Sequence, residues 1–482
     1  MATPSFDLSV PLPLEPRQWQ TRLIQLLRQR IAEPSPSGHD VLVHAGPGAG
    51  KTLGALLGVW RLLQEGRLQN FLVFSHRTAI ASQWLRAAER LGLELQEWSD
   101  QSAAALAPGQ GLLLSYQGAA LHQPRLQTLL QSWGDATWLA IADEAHHLGV
   151  DPEDPEAAAW GQAFSVLTAA ARLRLGLSGT PFRADQLGFC AARRIQVREG
   201  DSISERIVPD LCVEPRQLID AGDVRPLEFR FQDGWVEHAR EAGDPERSCL
   251  SAEDRESWRA RNLRRAIRLG DGHGIGLRVL LGAKRQLERV REQHSGAGGL
   301  VIARDIAHAR HIAQLLQEQG DDALLIHSLD PEAQERLARF QQGKGDWLVS
   351  IDMCSEGFDA PRLRVVAYLS TVVTRSRFVQ AITRAVRLEA SRCVPEPIPR
   401  HPSYVFAPAD PLLISHARSW SVSEPYLLRS NPVIASESQG WSGRWTASTP
   451  LAAVADKAAG LIEVGGPQLP AFVSTVQRQR SA

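Results

Sequence analysis

The sequence predicts an α/β chain with two parallel sheets in series, each covered by helices on both faces, and a helical connector or insertion between them. Short runs that are apolar on both sides of the pleat alternate with helical patterns over residues 16–185, and again over 296–410. Strands buried on both faces read as such continuous runs, and a β-α-β rhythm makes neighbouring strands parallel. The length of 482 residues is too great for one hydrophobic core and suits two or three domains.

In the first stretch the strand candidates are Val41–His44, Phe71–Ser75, Gly111–Ser115, Trp138–Ala142 and Leu173–Ser178, with helices over Thr52–Glu65 and Ala79–Leu91. In the second they are Gly299–Ala303, Asp322–His327, Trp347–Ile351, Val365–Ser370 and Ser403–Ala407. Between them, 224–231 (VRPLEFRF) reads as a strand and 250–293 as an Arg-rich helical segment. The expected division is a first domain over 1–190, a connector with the Arg-rich insertion over 191–295, a second domain over 296–410 and a tail over 411–482. Ser, Gly and Pro in the tail predict partial disorder there.

Composition narrows the classes. With 43% hydrophobic and 22% charged residues the chain reads as soluble and globular, and a net charge of −1 means that any polyanion must meet Lys and Arg gathered on one surface. The five cysteines (Cys190, Cys212, Cys249, Cys354, Cys393) are scattered without a C-x-x-C pair. That pattern argues against a disulfide framework or a zinc site and suits a reducing cytosol. No secretory pattern opens the chain, and no apolar run is long enough for a membrane span.

Two motifs carry the chemistry. Residues 41–52 (VLVHAGPGAGKT) run from a strand through a Gly-rich turn into a helix. Backbone amides of Gly46, Gly48, Ala49 and Gly50, with the helix N-terminus, would cradle phosphates. Lys51 would reach the β and γ phosphates of ATP, and the Thr52 hydroxyl would bind Mg2+. Residues 138–147 (WLAIADEAHH) end an apolar strand in two acids. Asp143 would hold Mg2+ through its water shell, and Glu144 would polarise the attacking water. His146 and His147 could also be read as metal ligands, but no third ligand stands at a zinc-like spacing.

With these motifs the chain resembles the superfamily 2 helicases with a DEAH-type second motif, nearest the branch of XPB-like and UvsW-like helicases and restriction-enzyme motor subunits. The resemblance spans about residues 16–410 and implies two tandem RecA-like domains. It implies an adenine-reading role for Arg17 and Gln20 in PRQWQ. It places Arg77, Thr78 and Ser115, and Arg304 in GLVIARDIAHARHI, against nucleic acid. Ser178 and Thr180 in LSGTPFR would couple hydrolysis to grip. Gly357 and Asp359 in VSIDMCSEGFDAP would face the nucleotide. In FVQAITRAVR, Gln380, Arg384 and Arg387 join Glu144 and His146 in the catalytic set. Arg384 and Arg387, three apart, are expected to share one helix face.

Several positions depart from the pattern. Ala45 replaces the first glycine of the phosphate loop, a form common in the family. Glu356 and Gln380 stand where DEAD-box RNA helicases have Arg and His, which favours duplex or forked DNA over RNA. Ile351 and Thr383 replace a usual Thr and Gly. In the segment 255–291 Trp258 reads as a core residue, while the arginines fit phosphate contact and a wet helix face equally well. The expected function is an ATP-dependent DNA helicase or translocase in the cytoplasm. An RNA helicase and an ATP-switched subunit of a repair or defence complex are the alternatives. Intact Lys51, Asp143 and Glu144 argue against the switch.

Overall fold

The computed structural model describes residues 11–32, 40–76, 78–99, 106–133, 137–148, 155–179, 193–199, 202–238, 246–252, 256–270, 273–327, 329–351, 360–388, 400–420, 426–427, 450–454 and 461–464. The chain forms two compact units: unit 1 holds 1–214 and 423–437, and unit 2 holds 215–422 and 438–482.

Unit 1 opens with α1 (Gln18–Ala32), β1 (Asp40–Ala45), α2 (Lys51–Gln64), β2 (Asn70–Ser75), α3 (Thr78–Arg90) and β3 (Leu95–Glu97). It continues through β4 (Gly111–Ser115), α4 (Tyr116–Leu121), α5 (Gln123–Gln131), β5 (Trp138–Ala142), α6 (Pro155–Leu167) and β6 (Leu173–Ser178). An antiparallel hairpin, β7 (Arg193–Glu199) with β8 (Ser202–Val208), precedes β9 (Leu211–Val213). The main sheet runs β3-β4-β2-β5-β6-β1-β9, and its pairs are parallel. β1, β2 and β5 are buried at every residue, including the polar Asp40, His44, Asn70 and Ser75 that flank their apolar centres. Phe74 meets Phe164 of α6 edge-on at 4.9 Å within one face of the core.

Register decides where the site lies. His44 stands beside Ser178, and Ala142 beside Gly176. Parallel strands therefore bring the loops after β1, β5 and β6 to a single sheet edge, the carboxyl edge where open α/β sheets bind ligands.

Unit 2 begins with α7 (Pro215–Asp220), β10 (Leu227–Gln232), β11 (Trp235–His238), β12 (Glu246–Cys249), α8 (Glu256–Ala266) and α9 (Ile275–Gln293). Then come β13 (Gly298–Ala303), α10 (Ile306–Glu318), β14 (Ala323–Ile326), α11 (Ala333–Gln341) and β15 (Trp347–Ser350). β16 (Leu363–Leu369), α12 (Arg375–Ile382), β17 (Ser403–Pro408) and α13 (Pro411–Ser419) complete the run. β18 (Tyr426–Leu427) belongs to unit 1 and pairs there with β8. β19 (Pro450–Val454) pairs with β11, and β20 (Leu461–Val464) lies antiparallel against β10. The main sheet of unit 2 runs β14-β15-β13-β16-β17-β10-β20.

Both parallel sheets match the predicted α/β class and the tandem RecA-like fold. The VRPLEFRF strand starts only at Leu227, after Pro226, whose nitrogen carries no hydrogen for a ladder. It alternates buried and half-buried residues, with Phe229 and Phe231 inward and Arg230 on the other face. The segment 250–293 is helical, as its pattern suggests, and is divided into separate pieces. A 3-10 turn at Leu250–Ala252 precedes α8, and α9 begins after Gly274. Trp258 is half-buried on α8. The tail supplies β19 and β20 where composition suggested disorder, while 436–449 lies outside the described residues.

Trp347 of β15 is fully buried in the core of unit 2, beside Gly299, where a Cβ would come within 2.3 Å of the indole. Trp347→Ala should cost about 3–5 kcal/mol of stability through lost burial and the cavity left behind. Urea unfolding checks it, and a loss below about 1 kcal/mol would contradict the tight packing at this position.

Candidate active site

The loop after β1, Gly46–Gly50, turns through Gly48 and Gly50, both at φ 80. Residues with a Cβ disfavour that left-handed region, so glycine sets the turn. Arg17, just before α1, and two side chains of that helix's first turn hold the loop carbonyls. Arg17 Nη1 donates to Gly48 O at 2.7 Å, Trp19 Nε1 to Ala49 O at 3.0 Å and Gln20 Nε2 to Gly50 O at 3.0 Å. Gln20 Oε1 in turn accepts from the Arg17 amide at 2.9 Å. In a planar trans peptide N–H points opposite to C=O, so the Gly50 and Lys51 amides face away from α1. Together with the N-terminus of α2 they form a concave set of donors suited to phosphate oxygens.

Lys51 opens α2 and reaches back across this turn. Its Nζ lies 3.1 Å from Ala45 O and 3.7 Å from Glu144 Oε1. Gly179, just past β6, permits the approach, since a Cβ there would stand 2.6 Å from Nζ. Glu144 sits at φ 49, ψ 52, and is the one non-glycine residue at positive φ among those described. Such a conformation costs on the order of 1–2 kcal/mol and survives only where surrounding contacts fix it. Those contacts are to the carboxylate: the Gly179 amide donates to Oε2 at 3.3 Å, and His146 Nδ1 is 3.3 Å from the same oxygen. His146 Nδ1 also lies 3.2 Å from Ser178 Oγ, which ties the loop after β5 to the end of β6.

The two acids sit in opposed electrostatic settings. Burial works against charge on Glu144, but Lys51, His146, the Gly179 amide and His147 outweigh it and hold its carboxyl below the usual range. For Asp143, burial and the Glu144 charge together raise the carboxyl above the usual range, against the Trp84 hydrogen bond and Lys51. A carboxylate kept anionic beside an ammonium can polarise water.

Asp143 is positioned by residues that the sequence alone does not connect to it. Trp84 Nε1, fully buried on α3, donates to Asp143 Oδ2 at 2.8 Å. Tyr116, next to Ser115, is buried and donates its hydroxyl to Asp143 O at 2.8 Å. The Glu144 amide donates to Asp143 Oδ1 at 3.1 Å. Each carboxylate oxygen keeps a further lone pair, so Asp143 and Thr52, in the first turn of α2, fit a Mg2+ ion that retains most of its waters. Trp19 is a further residue that sequence reasoning misses. The signals present are the tryptophans of PRQWQ and ASQW, placed among polar motif residues.

Arg17, Gln20, the loop from Gly46 to Thr52, Asp143, Glu144, His146 and Ser178 therefore all belong to unit 1 around the ends of β1, β5 and β6. Ser115 caps α4, its Oγ accepting from the Gly118 amide at 3.0 Å, and Thr78 opens α3. In unit 2, Arg304 pairs with Asp305 at 2.6 Å after β13. Gln380 lies on α12, but Arg384 and Arg387 do not share a helix face as expected. α12 ends at Ile382, Arg384 is buried in a 3-10 turn over Thr383–Val386, and Arg387 is extended at φ −70, ψ 145. Thr383 Oγ1 bonds back to Val379 O at 2.5 Å, and Ser403 Oγ donates to Ala385 O at 2.8 Å, which stabilises the tighter turn. Arg77, Thr180, Gly357 and Asp359 lie outside the described residues.

Residues 13–183 match the family model "Type III restriction enzyme, res subunit", and residues 282–389 match "Helicase conserved C-terminal domain". The uncharacterized protein MT2985 of Mycobacterium tuberculosis (strain CDC 1551 / Oshkosh) is 30% identical over 418 residues, which cover 86% of this chain and 64% of the relative. The chain thus spans under two thirds of that relative's length. Among solved structures, a fragment described as an HsdR subunit of a type I restriction enzyme from Vibrio vulnificus YJ016 aligns with a TM-score of 0.51 at 16% identity, over 84% of this chain and 66% of that one. The ATP-dependent type ISP restriction-modification enzyme LlaBIII, bound to DNA, aligns with a TM-score of 0.51 at 13% identity, over 83% of this chain and 28% of that one.

Trp84→Phe keeps most of the ring and removes the donor to Asp143. Leaving that buried carboxylate oxygen without its partner should cost about 1–3 kcal/mol in urea unfolding. An unchanged midpoint and slope would show that the indole contributes only volume.

Proposed function

Since this chain belongs to the superfamily 2 helicases related to restriction-enzyme motor subunits, we propose that it is an ATP-dependent DNA translocase that moves along, or unwinds, duplex or forked DNA. The observation that carries this reading is the close set of Lys51, Glu144 and Gly179 beside a glycine-shaped phosphate loop. ATP would bind with its phosphates on the loop amides and Lys51. Mg2+ held by Thr52 and Asp143 would offset charge on the phosphate oxygens. Glu144 then takes a proton from water aimed at the γ-phosphate, and the strained backbone holds its carboxylate where the Lys51 ammonium keeps it anionic. His146, touching both Glu144 and Ser178, relays the state of the nucleotide to the end of β6. Gln380, Arg384 and Arg387, with Gly357 and Asp359, are assigned to the nucleotide from motif position.

DNA is preferred over RNA on the side chains at Glu356 and Gln380, and the fold shared with DNA-bound LlaBIII is in keeping with it. Arg77, Thr78, Ser115 and Arg304 are assigned to nucleic acid, and Thr180 to coupling. A protein partner in a repair or defence complex, and a cytoplasmic setting, complete the proposal.

ATP hydrolysis by the purified chain, alone and with duplex DNA, single-stranded DNA or RNA, tests it. DNA should stimulate turnover, and Glu144→Gln should lower it by at least about 100-fold, the contribution of a positioned general base. Stimulation by RNA alone would overturn the substrate. Nucleotide binding with no turnover on any nucleic acid would replace the motor with a switch.

A further inference from the structure

We propose that unit 2 carries a phosphate-binding pocket, separate from the loop after β1, between α9 and the strands β10 and β17. The pocket encloses about 220 Å³ and is lined by Arg230, Arg278, Arg285, Arg289, Gln286 and Phe406, among others.

Its cationic wall is written into α9. Positions 278, 282, 285 and 289 recur at helical spacing and form one stripe. Three are arginines, and the fourth is Gly282, which lies against Phe406. A Cβ there would come 3.2 Å from Cε1 of that ring. Glycine inside a helix costs roughly 1 kcal/mol relative to alanine. Here it opens a gap in the stripe, floored by backbone and the Phe406 ring and flanked by guanidinium groups.

The opposite wall is preorganised. Arg230 of β10 lies over the rings of Tyr404 and Phe406, with Cζ 5.1 and 5.8 Å from their centroids. Its Nη1 donates to Gln286 Oε1 at 3.0 Å, and Glu228 approaches Nη2 at 3.8 Å. A guanidinium can only donate, so the Gln286 oxygen is fixed toward it and the amide nitrogen is left as a donor. Two lining groups have a donor already committed to backbone: the Gln232 amide nitrogen to Asp233 O at 2.8 Å and Arg285 Nε to Leu281 O at 3.3 Å, which leaves the two terminal nitrogens of Arg285 for a ligand.

Charge along α9 is also distributed unevenly. Lys284 pairs with Glu288 and Asp321, and Arg291 pairs with Asp346. Among the described residues no carboxylate forms such a pair with Arg278, Arg285 or Arg289. The two acids three residues beyond Arg285 and Arg289 are Glu288, which turns to Lys284, and Glu292, which forms no ion pair with the stripe among the described residues. Several guanidinium forks converging on one hollow match the many acceptor oxygens and multiple charge of a phosphate better than a carboxylate. The phosphate could be a phosphodiester of a nucleic-acid backbone or a small phosphate compound, which share this chemistry.

The test is Arg285→Gln with Arg289→Gln, two exposed side chains outside the hydrolytic set, so circular dichroism and basal ATP hydrolysis should stay unchanged. Pyrophosphate binding is measured by titration calorimetry in a Lys51→Ala background, which weakens the other phosphate site. Short duplex DNA is followed by fluorescence anisotropy across a salt series. Pyrophosphate should bind at least about tenfold more weakly to the variant, as loss of charge-assisted hydrogen bonds requires. If DNA weakens too, with the slope of log K against log salt shallower by about 2 (roughly 0.9 for each phosphate no longer neutralised), the ligand is the nucleic-acid backbone. If only pyrophosphate weakens, the ligand is a small phosphate. Both outcomes support the pocket. Unchanged binding of both probes overturns it, and so does weakened DNA binding with pyrophosphate binding unaltered or absent.

Discussion

Parallel sheets buried on both faces impose the constraint from which this structure follows. With helices above and below, the strands offer no open face for chemistry, and functional groups gather where strands end. In unit 1 the order β5-β6-β1 makes three such ends neighbours. Lys51, Glu144 and Ser178 come from segments far apart in sequence, yet they meet because their strands are adjacent and in register. The close approach of Lys51 to Gly179 and the left-handed turn at Glu144 are local adjustments to this crowding.

The groups that fix the polar loops are largely aromatic. Trp19 holds the phosphate loop, while Trp84 and Tyr116 hold Asp143 from below. An indole or phenol fills core volume with few rotatable bonds and still carries one donor at its tip. Such a side chain can sit in an apolar layer and deliver a hydrogen bond at its boundary. The buried acid thereby gains a partner without a second buried charge, whose desolvation would be costly.

Much of this architecture is legible locally. Gly111–Ser115, Trp138–Ala142 and Leu173–Ser178 form strands with the bounds their apolar runs suggest, because burial of all but Ser115 and Arg174 leaves a nearly continuous signature. The phosphate loop is equally readable, since the geometry of Gly48 and Gly50 demands glycine. Long-range partners are not. Trp84 and Asp143 lie 59 residues apart, and nothing in ASQW reveals which acid the indole meets. The end of α12 is hidden too, because Thr383 is compatible with a helix until its hydroxyl bonds back to Val379 O. The strands β19 and β20 escape notice because their partners, β11 and β10, come more than 200 residues earlier.

The position of β20 has a consequence for how the chain is handled. It occupies the outer flank of β10, so β10 is an interior strand only while residues 461–464 remain attached. A chain trimmed to its motif-bearing residues would leave β10 with a row of unmatched N–H and C=O groups. Bare strand edges recruit other strands, and natural proteins cover or charge them for that reason. Solubility lost after such trimming would thus report an uncovered sheet margin rather than damage to the nucleotide-handling edge of unit 1. The segment that reads as the least structured part of the sequence acts as the selvedge of the second sheet.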